Sequence, residues 1–191
     1  MKSLKGTQTE KNLMAAFAGE SEARNRYTYY ASAARKEGYE QIAAIFEETA
    51  NQEKEHAKRE FKFLQGGMVE ITATFPAEPV GTTLENLKQA AAGELYETTK
   101  MYPEFMEAAE REGFAEVAAV FKHIGRVELR HKERYEALVR NIETGMVFKK
   151  STPVRWACRN CGYIHEGVEA PKACPACAHP QAYYEVEATN F

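Results

Sequence analysis

The chain has no aspartate: all 28 of its acidic residues are Glu. Asp competes for backbone hydrogen bonds and favours turns, whereas Glu suits helix interiors, so this choice points to a helical protein. Long apolar runs are also missing. The longest, Leu13 to Ala18, has six residues, far short of the ~20 that a bilayer-spanning helix needs. There is no cationic excess either. The 25 Lys and Arg against 28 Glu give a net charge of −3, which excludes a field that gathers nucleic-acid phosphates. The opening residues, Met1 to Gly6, lack the apolar stretch of a secretory signal, so a cytoplasmic protein is expected. No Gly-x-Gly-x-x-Gly occurs, so nothing here reads as a dinucleotide site. Cysteine is absent from the first 157 residues, and all four Cys fall in the last 34. In a reducing compartment, clustered thiols indicate a metal rather than disulfides.

The remainder divides near residue 150. Residues 1–146 read as four long helices, 147–152 as a linker, and 153–191 as a small second domain that needs a metal staple. The first helix is expected from about Thr7 to Lys36, opened by a Thr7/Glu10 capping box and stopped at Gly38. The second runs from about Tyr39 to Leu64, ended by Gly66-Gly67. A connection with Pro76, Pro79 and Gly81 follows. The third helix opens at a Thr82/Glu85 capping box and runs to about Arg111, with Pro103 kinking or breaking it. The fourth runs from about Ala115 to Thr144. Two helix hairpins joined by one long crossover is the ferritin-like arrangement of a four-helix bundle.

An internal repeat carries the functional reading. Between Glu37–His56 and Glu112–His131, offset by 75, seven of 20 positions are identical, among them Gly38/Gly113, Phe46/Phe121, Glu53/Glu128 and His56/His131. Tyr27 matches Tyr102 at the same offset, but Gly19-Glu20 matches Gly93-Glu94 at an offset of 74. The third helix therefore gains one residue between Glu94 and Tyr102, which a π-bulge absorbs.

Each half thus carries one lone Glu (Glu20, Glu94) and one Glu-x-x-His (Glu53/His56, Glu128/His131). Residues three apart share a helix face, so each pair can aim at one centre. Two Glu helices and two Glu-x-x-His helices make the di-iron carboxylate pattern of ferritin-like bundles. Glu-x-x-His alone is weak in a Glu-rich chain, and a duplicated salt-bridged helix is the plainer alternative. Recurrence in register with a Gly-Glu on the preceding helix favours metal. Carboxylates and imidazoles suit iron or manganese. Glu97, one turn after Glu94, is either a fifth acid of the site or an exposed helix residue. Tyr27 and Tyr102 are either hydrogen-bond partners of ligand carboxylates or core aromatics. His123 reads as a surface or packing residue, and His165 and His179 as surface residues.

Cys158-x2-Cys161-x12-Cys174-x2-Cys177 forms two knuckles whose four thiolates close a tetrahedron, a specific signal for zinc or iron. Cys158-Arg159-Asn160-Cys161-Gly162-Tyr163 and Cys174-Pro175-Ala176-Cys177, with Trp156, resemble rubredoxin knuckles. The gap between the knuckles is shorter than in free-standing rubredoxins, and Ala178 stands where Gly is common. A ferritin-like bundle followed by such a tail resembles the rubrerythrin family over essentially the whole chain.

That resemblance implies a mainly α protein with short β-strands in a rubredoxin-like tail. It implies a non-haem di-iron peroxidase that reduces hydrogen peroxide to water and protects against oxidative stress. It carries over Glu20, Glu53, Glu94, Glu97, Glu128 and His131, with His56, as ligands of two irons, oxo- or hydroxo-bridged when oxidised. Cys158, Cys161, Cys174 and Cys177 hold a third iron that relays electrons. Glu97 and His56 exchange on one iron when the site is reduced. A homodimer is implied, the tail of one chain near the di-iron site of the other, with electrons from a separate reductase or rubredoxin drawing on NAD(P)H. Two other classes stand beside it: a ferroxidase or iron-storage ferritin relative, and a zinc-ribbon interaction protein on a helical scaffold.

Overall fold

The computed structural model describes residues 3–190. Its four helical rods are α1 (Gln8–Lys36), α2 (Glu40–Phe61), a composite third rod and α5 (Ala115–Glu143). The third rod comprises α3 (Thr83–Tyr96), a π-helical segment (Glu97–Met101) and α4 (Tyr102–Arg111). The extra residue inferred from the repeat is therefore taken up by the π-helix. Pro103 does not break the rod. It is the second residue of α4, in a first turn where its missing N–H is least needed.

The two hairpin turns are built alike. Gly38 and Gly113 have φ of 82° and 78°. Tyr39 N–H and Phe114 N–H reach back to Ala34 O (2.9 Å) and Ala109 O (2.8 Å), a Schellman closure at each end. The preceding Glu of each turn caps the other hairpin. Glu37 accepts the Thr83 N–H at 3.0 Å, and Glu112 accepts the N–H groups of Gln8 (3.0 Å) and Thr9 (2.8 Å). This explains why Glu37 and Glu112 are identical in the repeat. Thr82/Glu85 forms a full capping box. Thr7 accepts from the Glu10 N–H, but the Glu10 carboxylate takes the Gly6 N–H rather than that of Thr7, so the first box is only half formed. α2 ends at Phe61, three residues before the expected Leu64.

Two apolar clusters fill the bundle. One contains Tyr27, Tyr30, Ile42, Phe46, Leu87, Tyr135 and Leu138. The other contains Leu13, Tyr102, Val117, Phe121 and Ile124. Each fully buried side chain of this size contributes about 1.5–3 kcal/mol. α1, the third rod and α5 pass through both clusters, and on each the Glu and His candidates fall between the two stretches; α2 joins the first cluster, and Phe63 and Leu64 just beyond its end pack on the second. The polar layer is thus sandwiched mid-bundle by apolar layers.

The tail is a three-stranded antiparallel sheet in the order β2-β1-β3, with β1 at Lys149–Cys158, β2 at Ile164–Glu169 and β3 at Tyr184–Val186. The linker expected at 147–152 is mostly strand. Lys149 pairs with Glu169, and the register breaks before Val154, a bulge that accommodates Pro153. Phe148 stacks on Tyr39 with centroids 6.1 Å apart. A Cβ on Gly38 would lie 3.6 Å from the Ala182 Cβ, so the tail sits against the α1–α2 turn. Trp156 is fully buried in the tail core, and its indole N–H donates to Gly167 O at 2.9 Å. No helix among the described residues is long and apolar enough to cross a membrane.

Candidate metal centres

The six repeat-matched residues converge. Glu20, Glu53, His56 and Glu128 form one group, and Glu53, Glu94, Glu128 and His131 a second; in each, one ligand atom per residue lies within 4.8 Å of all the others. Glu53 and Glu128 belong to both. His56 Nδ1 is 2.9 Å from Glu53 Oε2 and 3.0 Å from Glu128 Oε1. His131 Nδ1 is 2.7 Å from Glu128 Oε2 and 3.2 Å from Glu53 Oε1. Each shared carboxylate therefore turns one oxygen to each group. Glu20 and Glu94 stand at matching places, 3.7 Å from the Nδ1 of His56 and His131 respectively.

These contacts are not ordinary hydrogen bonds. Both oxygens of Glu53 and Glu128, one of Glu94, and the Nδ1 atoms of both histidines lack a hydrogen-bond partner despite their burial. Donor atoms close together but aimed past one another point at common centres. Leaving so many polar atoms unpaired is costly, and cations remove the cost. The donors, carboxylate and imidazole, fit iron or manganese.

The electrostatics agree. Burial, then the charges of Glu128 and Glu53, push the Glu20 carboxyl well up. Burial holds Glu94 up at about 8, although the neighbouring His131 ring opposes the rise. Burial alone would lower both histidines, but carboxylate contacts led by Glu128 outweigh it and raise them. Glu128 is held down: its contacts with His131 and His56 override burial. Without cations the layer is a cluster of strained protonation states.

Surrounding residues orient the ligands. Tyr27 donates to Glu94 Oε1 at 2.5 Å, and Tyr102 donates to Glu20 Oε1. Both tyrosines are thus partners of candidate ligands as well as core aromatics. Gln52 Oε1 lies 2.8 Å from His131 Nε2, which places the ring proton on Nε2 and leaves Nδ1 free to bind. Gln52 escaped sequence reasoning, because an exposed-looking helix Gln carries no signal of its own. Glu60 escaped it too. It is fully buried and lies 3.1 Å from the Tyr102 hydroxyl. Its only sequence cue is an inward position, seven residues after Glu53.

Glu97 is half-buried and joins neither group. It begins the π-helix and lines a cleft of ≈1260 Å³ with Gly19, Glu22, Phe75, Gly93 and Met101. Burial, then Glu94 and Glu20, drive its carboxyl well up. His123 is exposed as expected. His165 and His179 are half-buried rather than surface residues. The His179 ring packs edge-on against Tyr183, 4.6 Å between centroids, because the second knuckle folds it back over the sheet end.

The four cysteines close a second centre. Sγ atoms of Cys158 and Cys177 are 3.8 Å apart, and those of Cys161 and Cys174 3.6 Å. A metal–thiolate bond of about 2.3 Å gives a tetrahedral edge of about 3.8 Å, so the residues fit a four-thiolate ion. The knuckles are near-copies: Gly162 N–H and Ala178 N–H both return to the first Cys carbonyl at 2.8 Å. Gly162 has φ 78°, and Ala178, at 60°, is the sole non-Gly residue with positive φ among the described residues. The His179 N–H holds the Cys177 thiol down at about 6, so this sulfur is poised as thiolate.

A ferritin-like bundle with a duplicated Glu/His cluster, joined to a four-thiolate tail, defines a di-iron carboxylate protein with a rubredoxin-like second metal site. Family models agree on both parts: "Rubrerythrin" matches residues 11–139, and "Rubrerythrin, rubredoxin-like domain" matches residues 156–185. The chain is 61% identical over 190 residues to a rubrerythrin of Porphyromonas gingivalis, covering 100% of this chain and 95% of the relative. It is 54% identical over 191 residues to a rubrerythrin of Nitratidesulfovibrio vulgaris, covering 100% of both. Among solved structures, nigerythrin in a partially reduced state matches with a TM-score of 0.65 and 36% identity, covering 97% of this chain and 89% of that one. The chain belongs to the rubrerythrin family.

Proposed function

We propose that this chain is a hydrogen-peroxide reductase, taking peroxide to two waters with two electrons and two protons. The observation that carries the reading is the joining, in one chain, of a paired Glu/His cluster with a four-thiolate site. The first can hold a two-electron centre and the second a one-electron carrier. An iron-storing ferritin relative has no use for the second.

Glu20, Glu53, Glu94, Glu128, His56 and His131 would hold two irons, which would supply the electrons for O–O cleavage. Every other part is played by side chains. Glu53 and Glu128, which belong to both groups, would serve both ions. Gln52 locks the His131 ring, and Tyr27 and Tyr102 fix Glu94 and Glu20. The cleft beside Glu97 is the entry for peroxide. Glu97, raised and half-buried there, holds a proton for a departing peroxide oxygen. Its place outside both groups, with His56 inside one, supports the exchange of these two residues that the family resemblance implies.

The bundle (residues 1–146) and the tail act as separate functional units. The tail seats on Gly38 and Tyr39. Glu53 and His56 lie 14 and 17 residues further along α2, which at 1.5 Å per residue is about 21–26 Å. Electron passage weakens steeply with distance, so the tail of a second chain in a homodimer is the better donor. A cytoplasmic reductase or a separate rubredoxin, drawing on NAD(P)H, refills the tail. Metal analysis and single-turnover oxidation test the reading together. About three irons per chain and rapid oxidation by peroxide are expected, on the pattern of such bundles. Zinc at the four thiolates after iron reconstitution, or a reduced protein inert to peroxide, contradicts it.

A further inference from the structure

The repeat matches α2 to α5 at an offset of 75, so each neighbour of one histidine in the polar layer has a counterpart in the other half. The rings of His56 and His131 lie 6.1 Å apart, centroid to centroid. Their Nδ1 atoms face the shared carboxylates alike. Their Nε2 atoms do not have like surroundings. With Nδ1 turned to a cation, the one proton of a neutral imidazole sits on Nε2. On His131 that N–H donates to Gln52 Oε1 at 2.8 Å. On His56, every polar contact among the described residues runs through Nδ1.

Gln52 is itself held. Its amide nitrogen lies 3.4 Å from Glu48 Oε1, one turn earlier on α2. Glu48 is gripped by both terminal nitrogens of Arg134, at 3.0 and 2.6 Å. Arg134 follows His131 by one turn on α5. The four side chains form a latch that starts and ends on α5 and crosses to α2 between. A planar guanidinium meeting both oxygens of a carboxylate fixes direction as well as charge. An amide held at its nitrogen then presents its oxygen to the His131 ring in one direction.

The other half has the arginine and lacks the rest. Arg134 matches Arg59, but Gln52 matches Val127 and Glu48 matches His123. Val127 has no hydrogen-bonding side chain. Arg59 pairs instead with Glu116 at 2.9 Å. The His56 side chain is 14% exposed, against 2% for His131. One ring is enclosed and tied at both nitrogens once a cation is bound. The other is tied at one nitrogen and open at its edge.

We propose that the Gln52–Glu48–Arg134 latch makes His131 a fixed ligand, and that Val127, by offering no such bond, leaves His56 as the histidine free to swing onto and off its ion. The two Glu-x-x-His pairs are otherwise matched, so the exchange of Glu97 with His56 needs a reason why His56 and not His131 moves. The latch supplies it. Gln52 and Val127 are positioning residues, since each acts through a histidine. The freedom of His56 rests on its exchange with Glu97; the fixing of His131 does not.

The test compares the iron-loaded parent with three variants. Gln52→Leu removes the latch, and Glu48→Ala loosens it. Val127→Gln with His123→Glu rebuilds it beside His56, where Arg59 already holds the matching place. In the reduced proteins, proton NMR follows the exchange with water of the Nε2–H protons of the iron-bound histidines, which the paramagnetic ions shift clear of other signals. The His131 proton is expected to exchange about tenfold more slowly than that of His56, the scale of one net hydrogen bond. Gln52→Leu should erase the difference, Glu48→Ala should narrow it, and the double variant should slow the His56 proton too. Crystal structures of both oxidation states give the second reading. Parent His56 is expected on the ion when reduced and off it when oxidised; in the double variant it should keep one place in both. Should Gln52→Leu fold poorly, the double variant, at two exposed positions, decides the matter. A His131 proton that exchanges as fast as that of His56 in the parent, or that Gln52→Leu leaves unchanged, overturns the latch. A His56 ring that moves in the double variant as it does in the parent overturns the part given to Val127. A His56 ring that keeps one place in both parent structures sinks the exchange reading instead, while the proton exchange rates still decide whether the latch fixes His131.

Discussion

The two halves of the bundle build the same scaffold and then part company where chemistry is needed. Both end their first rod with Glu-Gly in the same conformation, and both send that Glu to cap the other hairpin. Each presents one Glu and one Glu-x-x-His to a shared layer. They differ in four linked places. The second half has a π-helix where the first has plain α-helix. Glu97 occupies the position matched by Ala23, and Glu60 that matched by Tyr135. Gly125 stands where the first half has Ala50, and a Cβ there would come within 3.1 Å of the Tyr102 Cβ. The π-helix moves Tyr102 inward, and Gly125 makes the room. Symmetry forms a pair of cation sites; the departures from it decide what the pair does.

Breaking the shared part should have the largest effect. Glu53→Ala or Glu128→Ala removes an oxygen from both groups at once, so iron is expected to fall from about three per chain to about one, as elemental analysis would show. Glu20→Ala and Glu94→Ala should each cost less, and about equally. Deleting Thr98 would next test the π-helix. Removing one residue restores plain helical bonding and turns everything beyond it by about 100°. Tyr102 should leave Glu20 and Glu60, and peroxide turnover should collapse while circular dichroism stays helical. Glu97→Ala makes the halves more alike at the cleft. Both cation groups should survive it, with turnover lower by about 100-fold; full activity would remove Glu97 from the chemistry.

The polar layer also predicts a pH dependence for the metal-free protein. Glu94 is held up at about 8 in the fold, above its ordinary value of 4.5. The folded chain therefore binds more protons than the unfolded one between these values. The stabilisation is complete below about 4.5 and is lost as pH rises through about 8. His56 and His131, also raised, act in the same direction. The metal-free protein should melt at lower temperature at pH 9 than at pH 6. Iron, which needs deprotonated ligands, should reverse that order. The smallest effect belongs to the tail, whose knuckles form their own near-symmetric pair. Ala178→Gly relieves a left-handed residue and should stabilise the tail by about 1 kcal/mol in chemical denaturation.

Much of this was legible in the sequence, because periodicity and repetition are. The rods, the crossover, the six converging Glu and His residues and the four-thiolate tail follow from spacing alone. The extra residue before Tyr102 appeared as a change of offset from 74 to 75, and the π-helix lies in that interval. What stayed hidden depends on side-chain direction. Glu97 shares a face with Glu94 on an ideal helix, yet the π-helix begins at that residue, and it stands outside both groups. Gln52 and Glu60 matter through one contact each, which no pattern records. The expected linker at 147–152 is mostly strand instead, with a bulge before Val154 that accommodates Pro153.

The most direct measurement mixes the fully reduced, iron-loaded protein with hydrogen peroxide, and separately with dioxygen at equal concentration. It follows the visible colour of the oxidised four-thiolate iron. Colour that returns promptly with peroxide, far faster than with dioxygen, and that is lost in Glu53→Ala while the tail keeps its iron, is the predicted result. Colour that returns no faster with peroxide than with dioxygen, or returns equally well without Glu53, would contradict a peroxide reductase fed through its tail.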